Sequence, residues 1–201
     1  AVMIRAFRPF VTIRLGVILS SKIGQMAGYT EMYLCERDLG MHPKRSFDLF
    51  HHVYMYHSDT VSKPCCNDQL KKMWDRTLRV SPFFGLVDWA SRNLPGSAAH
   101  IVPIKKSGDY DKLGLKEQTQ AHLSFTREEE DFGENALLEL GVPAGAPFVC
   151  FMNRDQAYNE TIFPGMDWSG HLFRNNSIQE FMPAAKQLTQ QGYFAIRMGY
   201  V

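Results

Sequence analysis

The stretch from Phe148 to Gly199 constrains this chain more than any other. Phe148-Val149-Cys150-Phe151 is a short apolar run with Pro147 before it and the polar cluster Asn153-Arg154-Asp155-Gln156 after it. That is the pattern of a strand buried on both faces of a parallel sheet. A long loop rich in Gly, Asn and aromatic residues follows, from Tyr158 to Asn176. Ser177 then reads as a helix N-cap, with Glu180 completing a capping box. Ile178, Phe181, Ala184, Ala185 and Leu188 recur at helical spacing, and Gly192 supplies the stop. Tyr193-Phe194-Ala195-Ile196 reads as the next strand and runs into Arg197-Met198-Gly199. Strand, helix and parallel strand make a βαβ unit with a right-handed crossover. Open parallel sheets bind ligands beyond the carboxyl ends of their strands. Both strand ends carry an arginine, and Arg174-Asn175-Asn176 precedes the helix. Arginines beside a helix N-terminus suit a ligand bearing phosphate.

An α/β reading extends to the rest of the chain. Val11-Thr12-Ile13-Arg14-Leu15 alternates and is β-branched, as a strand should be. Ser20 to Gly28 reads as a turn-rich loop, after which Thr30 caps a helix from Glu31 to Leu39, closed by Gly40. A loop between a strand and a helix N-terminus is a ligand position in α/β proteins, yet Gly24 and Gly28 equally suit a tight turn. Phe47 to Phe50 is a second strand candidate, with His51, His52 and His57 close by. Adjacent His51 and His52 face opposite sides of a strand, so they do not converge on one ion. Helices are expected from Asn67 to Arg76 and from Phe83 to Asn93, the latter broken by Pro95-Gly96. Residues 105–122 read as a surface loop. Thr126 and Glu129 form a capping box at the start of an acidic helix that Gly141 ends. Pro143 to Pro147 then reads as a linker.

With 201 residues and a formal net charge of +1, the chain allows one or two domains and is not drawn to a polyanion by charge, so no nucleic-acid partner is expected. Cys35, Cys65, Cys66 and Cys150 show no metal-ligand spacing, and the simplest reading is reduced thiols. No metal or cofactor is expected. No apolar run approaches the length of a membrane span. The chain starts at Ala1 and stops at Val201 just after a strand, which reads as a piece of a longer protein.

Taken in order, several segments carry a resemblance. They are Ile13-Arg14-Leu15-Gly16, Lys22-Ile23-Gly24-Gln25-Met26, Thr30-Glu31-Met32-Tyr33-Leu34 and Gln69 to Trp74. Phe148 to Asp155, Phe173 to Ile178 and Tyr193 to Gly199 complete the series. The series resembles a family of bacterial glycosyltransferases from surface-polysaccharide gene clusters. More distantly it is similar to heptosyltransferases and fucosyltransferases of the two-Rossmann, GT-B type. The resemblance covers nearly the whole chain. It implies an acceptor-side Rossmann-like domain over 1–125, a connecting helix and linker over 126–145, and the start of a nucleotide-sugar-binding domain over 146–201.

The implied activity is metal-independent transfer of a sugar from a nucleotide donor to a hydroxyl of a glycan acceptor, in the cytoplasm or at the membrane surface. The alternative is a non-catalytic subunit or binding module reusing the fold. Arg154 is implied as the diphosphate contact, flanked by Arg174, Asn175, Arg197 and Gly199. Gly24, Gln25 and Thr30 would line the acceptor-side loop. The family often has His where this chain has Gln25 and Met152, and neither replacement is a base at neutral pH. Asp155 and Glu31 are the remaining candidates for the base. Each has a plainer role: Asp155 orienting Arg154, and Glu31 favouring its helix start. Two strands do not bury a sheet by themselves, so residues 146–201 are expected to be covered by the first domain, by further chain or by a protein partner.

Overall fold

The computed structural model describes residues 2–54, 65–103, 111–162 and 165–199. His57 and residues 105–110 of the expected 105–122 loop therefore lie outside the described residues, and the described part of that loop holds a short helix, Leu115–Gln118. The protein is mixed α/β and divides into two compact units, Ala1–Ser124 and Phe125–Val201. Among the described residues no helix is long and apolar enough to cross a membrane.

The first unit is built on β1 (Thr12–Leu19) and β2 (Ser46–Val53), which pair in parallel with Thr12 opposite Ser46 and Leu19 opposite Val53. Single parallel bridges extend this sheet on both sides, Leu15 to Ile101 and Phe50 to Val80. The chain thus steps from β1 to β2 to Val80 in one direction, then returns to Ile101 on the far side of β1. In open α/β sheets a reversal of that kind marks the strand end where ligands are taken, here the carboxyl end of β1. Helix α1 (Val2–Ala6) precedes β1, and α2 (Ile23–Asp38) joins β1 to β2. After β2 come α3 (Asp68–Thr77), α4 (Phe83–Arg92), a 3-10 turn at Ser97–His100 and α5 (Leu115–Gln118).

Strand alternation decides which helix covers which face. Asp48 and Phe50 point to α2, where Tyr33 donates to Asp48 and its ring sits 4.9 Å from that of Phe50. On the same face His52 reaches Asp75 of α3. His51 points the other way and meets Asp88 of α4. The two histidines do face opposite sides, as alternation requires. With helices on both faces, Ile18, Met26, Tyr33, Leu34, Phe50, Trp74 and Val102 close into one buried cluster.

Helix α2 starts at Ile23, eight positions before the expected Glu31. Gly24 and Gly28 weaken a helix locally, by roughly 1 kcal/mol each. Burial overrides that cost. Met26, Thr30, Tyr33 and Leu34 recur at i, i+4, i+7 and i+8 and are all buried, so the core-facing stripe begins at Met26. Gly24, Gln25, Gly28 and Thr30 are therefore helical rather than loop and cap residues. The other helix ends follow their signals. Asn67 caps α3 by accepting from the Leu70 amide at 2.7 Å, and Gly40, with φ of 70°, follows the end of α2.

The second unit opens with α6 (Arg127–Glu139), whose Thr126–Glu129 capping box is complete. β3 (Phe148–Met152) and β4 (Phe194–Met198) pair in parallel, Phe148 opposite Phe194 and Met152 opposite Met198. The stretch between them is more regular than its composition suggests. It holds α7 (Ala157–Ile162), a 3-10 turn at Ser169–Arg174, another at Ile178–Phe181, and α8 (Met182–Gln190). The helix expected from Ser177 thus begins as a 3-10 turn. Pro183 has no N–H to give the Gln179 carbonyl, which accepts from Met182 instead, and the α-helix starts only there. Ser177 accepts from the Gln179 amide, so its expected capping box with Glu180 is not formed.

Candidate functional site

Two polar strand ends stand out, one in each unit. In the first unit Ser20 follows β1 and is held on both sides of its peptide: its amide donates to Val53 O and its carbonyl accepts from Cys66 N. Its hydroxyl lies 2.6 Å from His52 Nδ1, and His52 Nε2 lies 2.7 Å from Asp75 Oδ1. Lys71 holds the other Asp75 oxygen. Burial lowers the His52 pKa, outweighing the pull of Asp75, so the ring is neutral at pH 7. In a neutral ring Nε2–H donates to Asp75 and Nδ1 is an acceptor for the Ser20 hydroxyl, whose single proton also has the Ile18 carbonyl within reach at 3.1 Å. Burial alone would raise the Asp75 carboxyl, but the hydrogen bonds from Lys71 and His52 carry it below its ordinary value. The order serine, histidine, aspartate matches a nucleophile relay, but Ser20 is 0% exposed. The relay is closed to substrate, and it clasps β1, β2 and α3 together.

Deeper in the same unit Asp48 accepts four hydrogen bonds. Arg14 supplies two, at 2.7 and 2.6 Å, Tyr33 one at 2.6 Å and Arg37 one at 2.7 Å. Burial would raise the Asp48 pKa, but the bonds from Arg14 and Tyr33 reverse it. Burial and the bond to Asp48 push the Tyr33 hydroxyl up to about 12. Arg14 and Asp48 are register partners on β1 and β2, 5% and 2% exposed, so this is a lock within the core.

The acceptor-side candidates lie along α2. Gln25, in its first turn, has a buried side-chain oxygen without a hydrogen-bond partner. Thr30 is buried in the core-facing stripe. Glu31 is engaged: its Oε1 lies 2.9 Å from His122 Nδ1.

In the second unit one residue gathers the strand-end cluster. Asn176 Oδ1 accepts from the Arg154 amide at 3.0 Å, and the Asn176 amide donates to the Arg154 carbonyl at 3.1 Å. Asn153 adds a bond from its side chain to the Asn176 carbonyl at 3.4 Å. This clasp brings the carboxyl end of β3 and the segment before α8 to one place. Arg154 and Asn175 are half-buried and Arg174 is exposed. Asn175 Oδ1 and Gln156 Oε1 are buried without partners. Asp155 turns its Oδ1 to the Ala157 amide at 3.1 Å, a local turn that leads into α7. Arg197 lies opposite Phe151, one residue before β4 ends, and Gly199 follows the strand with φ of 100°. Among the described residues no hydrogen bond or ion pair ties the Arg197 side chain to the Arg154–Asn176 clasp.

Sequence reasoning placed Asn176 in the polar cluster before the helix without giving it a role of its own, and it missed the Ser20–His52–Asp75 relay. A signal for the relay was present: Ser20 and His52 are polar residues at the carboxyl ends of neighbouring strands. Asp75 had none, because its place depends on how α3 packs. No protein-family model, curated protein or solved structure matches the chain.

Proposed function

We propose that this chain serves glycosyl transfer from a nucleotide-sugar donor to a hydroxyl of a glycan acceptor, in the cytoplasm or at its membrane surface. The observation that carries the reading is the Asn176 clasp on Arg154. It fixes the backbone of Arg154, and so the root of its side chain, at the carboxyl end of a parallel strand, where open α/β sheets take ligands. A departing diphosphate develops charge that a preorganised guanidinium stabilises. Arg174, two residues before the clasp, supplies a second cation to the same segment. The unpartnered amide oxygens of Gln156 and Asn175 suit hydroxyl donors such as those of a sugar or ribose. The apolar face of the β3–β4 sheet fits a donor-side sheet completed by further chain or by a partner.

One observation favours a second reading, a binding module of the same ligand class without transfer. Both carboxylates considered for the base are engaged, Asp155 with the Ala157 amide and Glu31 with His122.

A thermal-shift series with nucleoside diphosphates and their sugar conjugates, followed by a donor-hydrolysis assay, tests both readings. The expected result is a rise in melting temperature with a diphosphate sugar, because a ligand of the native state stabilises it. Arg154→Ala should remove that rise, and Asn176→Ala should weaken it. A rise without turnover selects the binding module. No shift with any diphosphate overturns both readings.

A further inference from the structure

Outside both strand ends, a side-chain cluster on α2 has the composition of a metal centre. Glu31 and Cys35 are one helical turn apart, and His122 approaches them from the segment after α5. A Glu31 carboxylate oxygen, Cys35 Sγ and a His122 ring nitrogen all lie within 4.8 Å of one another. We propose that these three side chains bind a divalent transition metal of the zinc class.

The donor chemistry selects that class. Thiolate, imidazole and carboxylate suit a borderline-soft ion, whereas calcium and magnesium take oxygen alone. Donors around a tetrahedral zinc ion lie about 3.5 Å apart, so the observed spacing needs only side-chain adjustment. The Glu31–His122 contact of 2.9 Å opens slightly as the ion replaces the proton between them.

Outer contacts are also in place. His122 Nε2 lies 3.0 Å from Asp38 Oδ2, leaving Nδ1 for the ion, which is the carboxylate–histidine–metal arrangement. Thr119 Oγ1 lies 3.1 Å from Cys35 Sγ, where it stands as a hydrogen-bond partner for a bound sulfur. Cys35 is 0% exposed, so its sulfur faces this cluster rather than solvent. A carboxylate–imidazolium–carboxylate bridge would need Glu31, His122 and Asp38 alone. The thiol within the same radius is what the metal explains and the ion bridge does not. Three protein ligands leave a fourth position for water. The ion pins residues 119–122 to the last turns of α2, independently of any sugar chemistry.

The test uses the whole chain, stripped of metal and kept reduced, titrated with cobalt(II). A thiolate-to-cobalt charge-transfer band in the near ultraviolet should saturate at one equivalent and vanish when zinc is added. Cys35→Ser should abolish the band, while replacement of Cys65, Cys66 and Cys150 by Ser should leave it. His122→Gln, at a half-buried position, should weaken zinc binding at least about 100-fold. Asp38→Asn should weaken it about 10- to 100-fold. A wild-type chain without the band, or a band that survives Cys35→Ser, overturns the site. So does unchanged affinity in a folded His122→Gln chain.

Discussion

The two units start from the same device, a pair of parallel strands joined through a helix, and reach different degrees of closure. In the first, Leu15, Ile18, Phe50 and Trp74 are at most 4% exposed. In the second, Phe148 is 44% exposed, Met152 76% and Met198 45%, and Val142 is the one apolar residue buried among those described. Strand composition does not explain this, since β3 is as apolar as β1. Coverage does. The first sheet gains parallel bridges at Ile101 and Val80 on its two sides, and helices on both faces. The second has a cover on the Phe151 face, where the rings of Phe151 and Phe181 stand 6.0 Å apart. By strand alternation Phe148, Cys150 and Met152 form the other face. An apolar run therefore specifies a strand, and its neighbours decide whether that strand becomes core.

The largest effect should come from breaking the lock of the first unit. Asp48→Ala removes the acceptor shared by Arg14, Tyr33 and Arg37 and leaves the 5%-exposed Arg14 without its partner. Removing one member of a buried ion pair costs about 3–5 kcal/mol. Urea unfolding should show that loss. Hydrogen exchange should place it in β1 and β2 and leave β3 and β4 unchanged. A loss shared equally by both strand pairs would mean that the units do not unfold separately.

A smaller loss should follow from overpacking the same sheet. A methyl group on Gly16 would stand 2.3 Å from the Phe50 ring, its register neighbour. Gly16→Ala should cost about 1–3 kcal/mol, and Phe50→Leu in the same chain should recover part of it. Additive losses in the double variant would place the strain elsewhere.

Acid should also act on the first unit. Burial lowers the His52 and His42 pKa values below the ordinary 6.5. The unfolded chain then binds more protons than the native one just below pH 6.5, so stability rises with pH in that window. This contribution is complete above about pH 6.5 and is lost as pH falls through the folded-state values. Burial would lower the His122 pKa, but its bonds to Glu31 and Asp38 raise it, so His122 contributes with the opposite sign. The reading is therefore the difference between chains: from pH 7 to pH 5 the melting temperature of His52→Gln should fall less, or rise more, than that of the wild type. Equal slopes would remove His52 from the account.

Much of this was legible along the chain. The capping box at Thr126, the helix start at Asn67 and the opposed faces of His51 and His52 follow from local rules. The strands at Thr12, Phe148 and Phe194 follow from pattern. Three features were not legible, two of them for reasons of packing and one for a local backbone reason. The start of α2 was hidden because buried Met26 outweighs two glycines. The 3-10 start before α8 turns on a single missing N–H at Pro183. The sites are least legible of all. Asn176 reads as a loop residue until its bonds to Arg154 are seen, and Glu31, Cys35 and His122 meet across 91 residues of sequence separation.

The smallest effect should come from the open face of the second unit, and it tests the comparison most directly. Met152 ends β3 and is 76% exposed, opposite Met198 at 45%. A lysine there keeps its stem on the sheet and its charge in water. Substitutions at exposed sites away from special features stay within about 0.5 kcal/mol. Met152→Lys should therefore leave urea unfolding almost unchanged while reducing self-association at high concentration, because a charge on such a face opposes edge and face pairing. Sedimentation velocity alongside unfolding separates these outcomes. If Met152→Lys instead costs as much as Gly16→Ala, the face is buried in solution. The contrast between the units would then lie in what covers each sheet, not in whether it is covered.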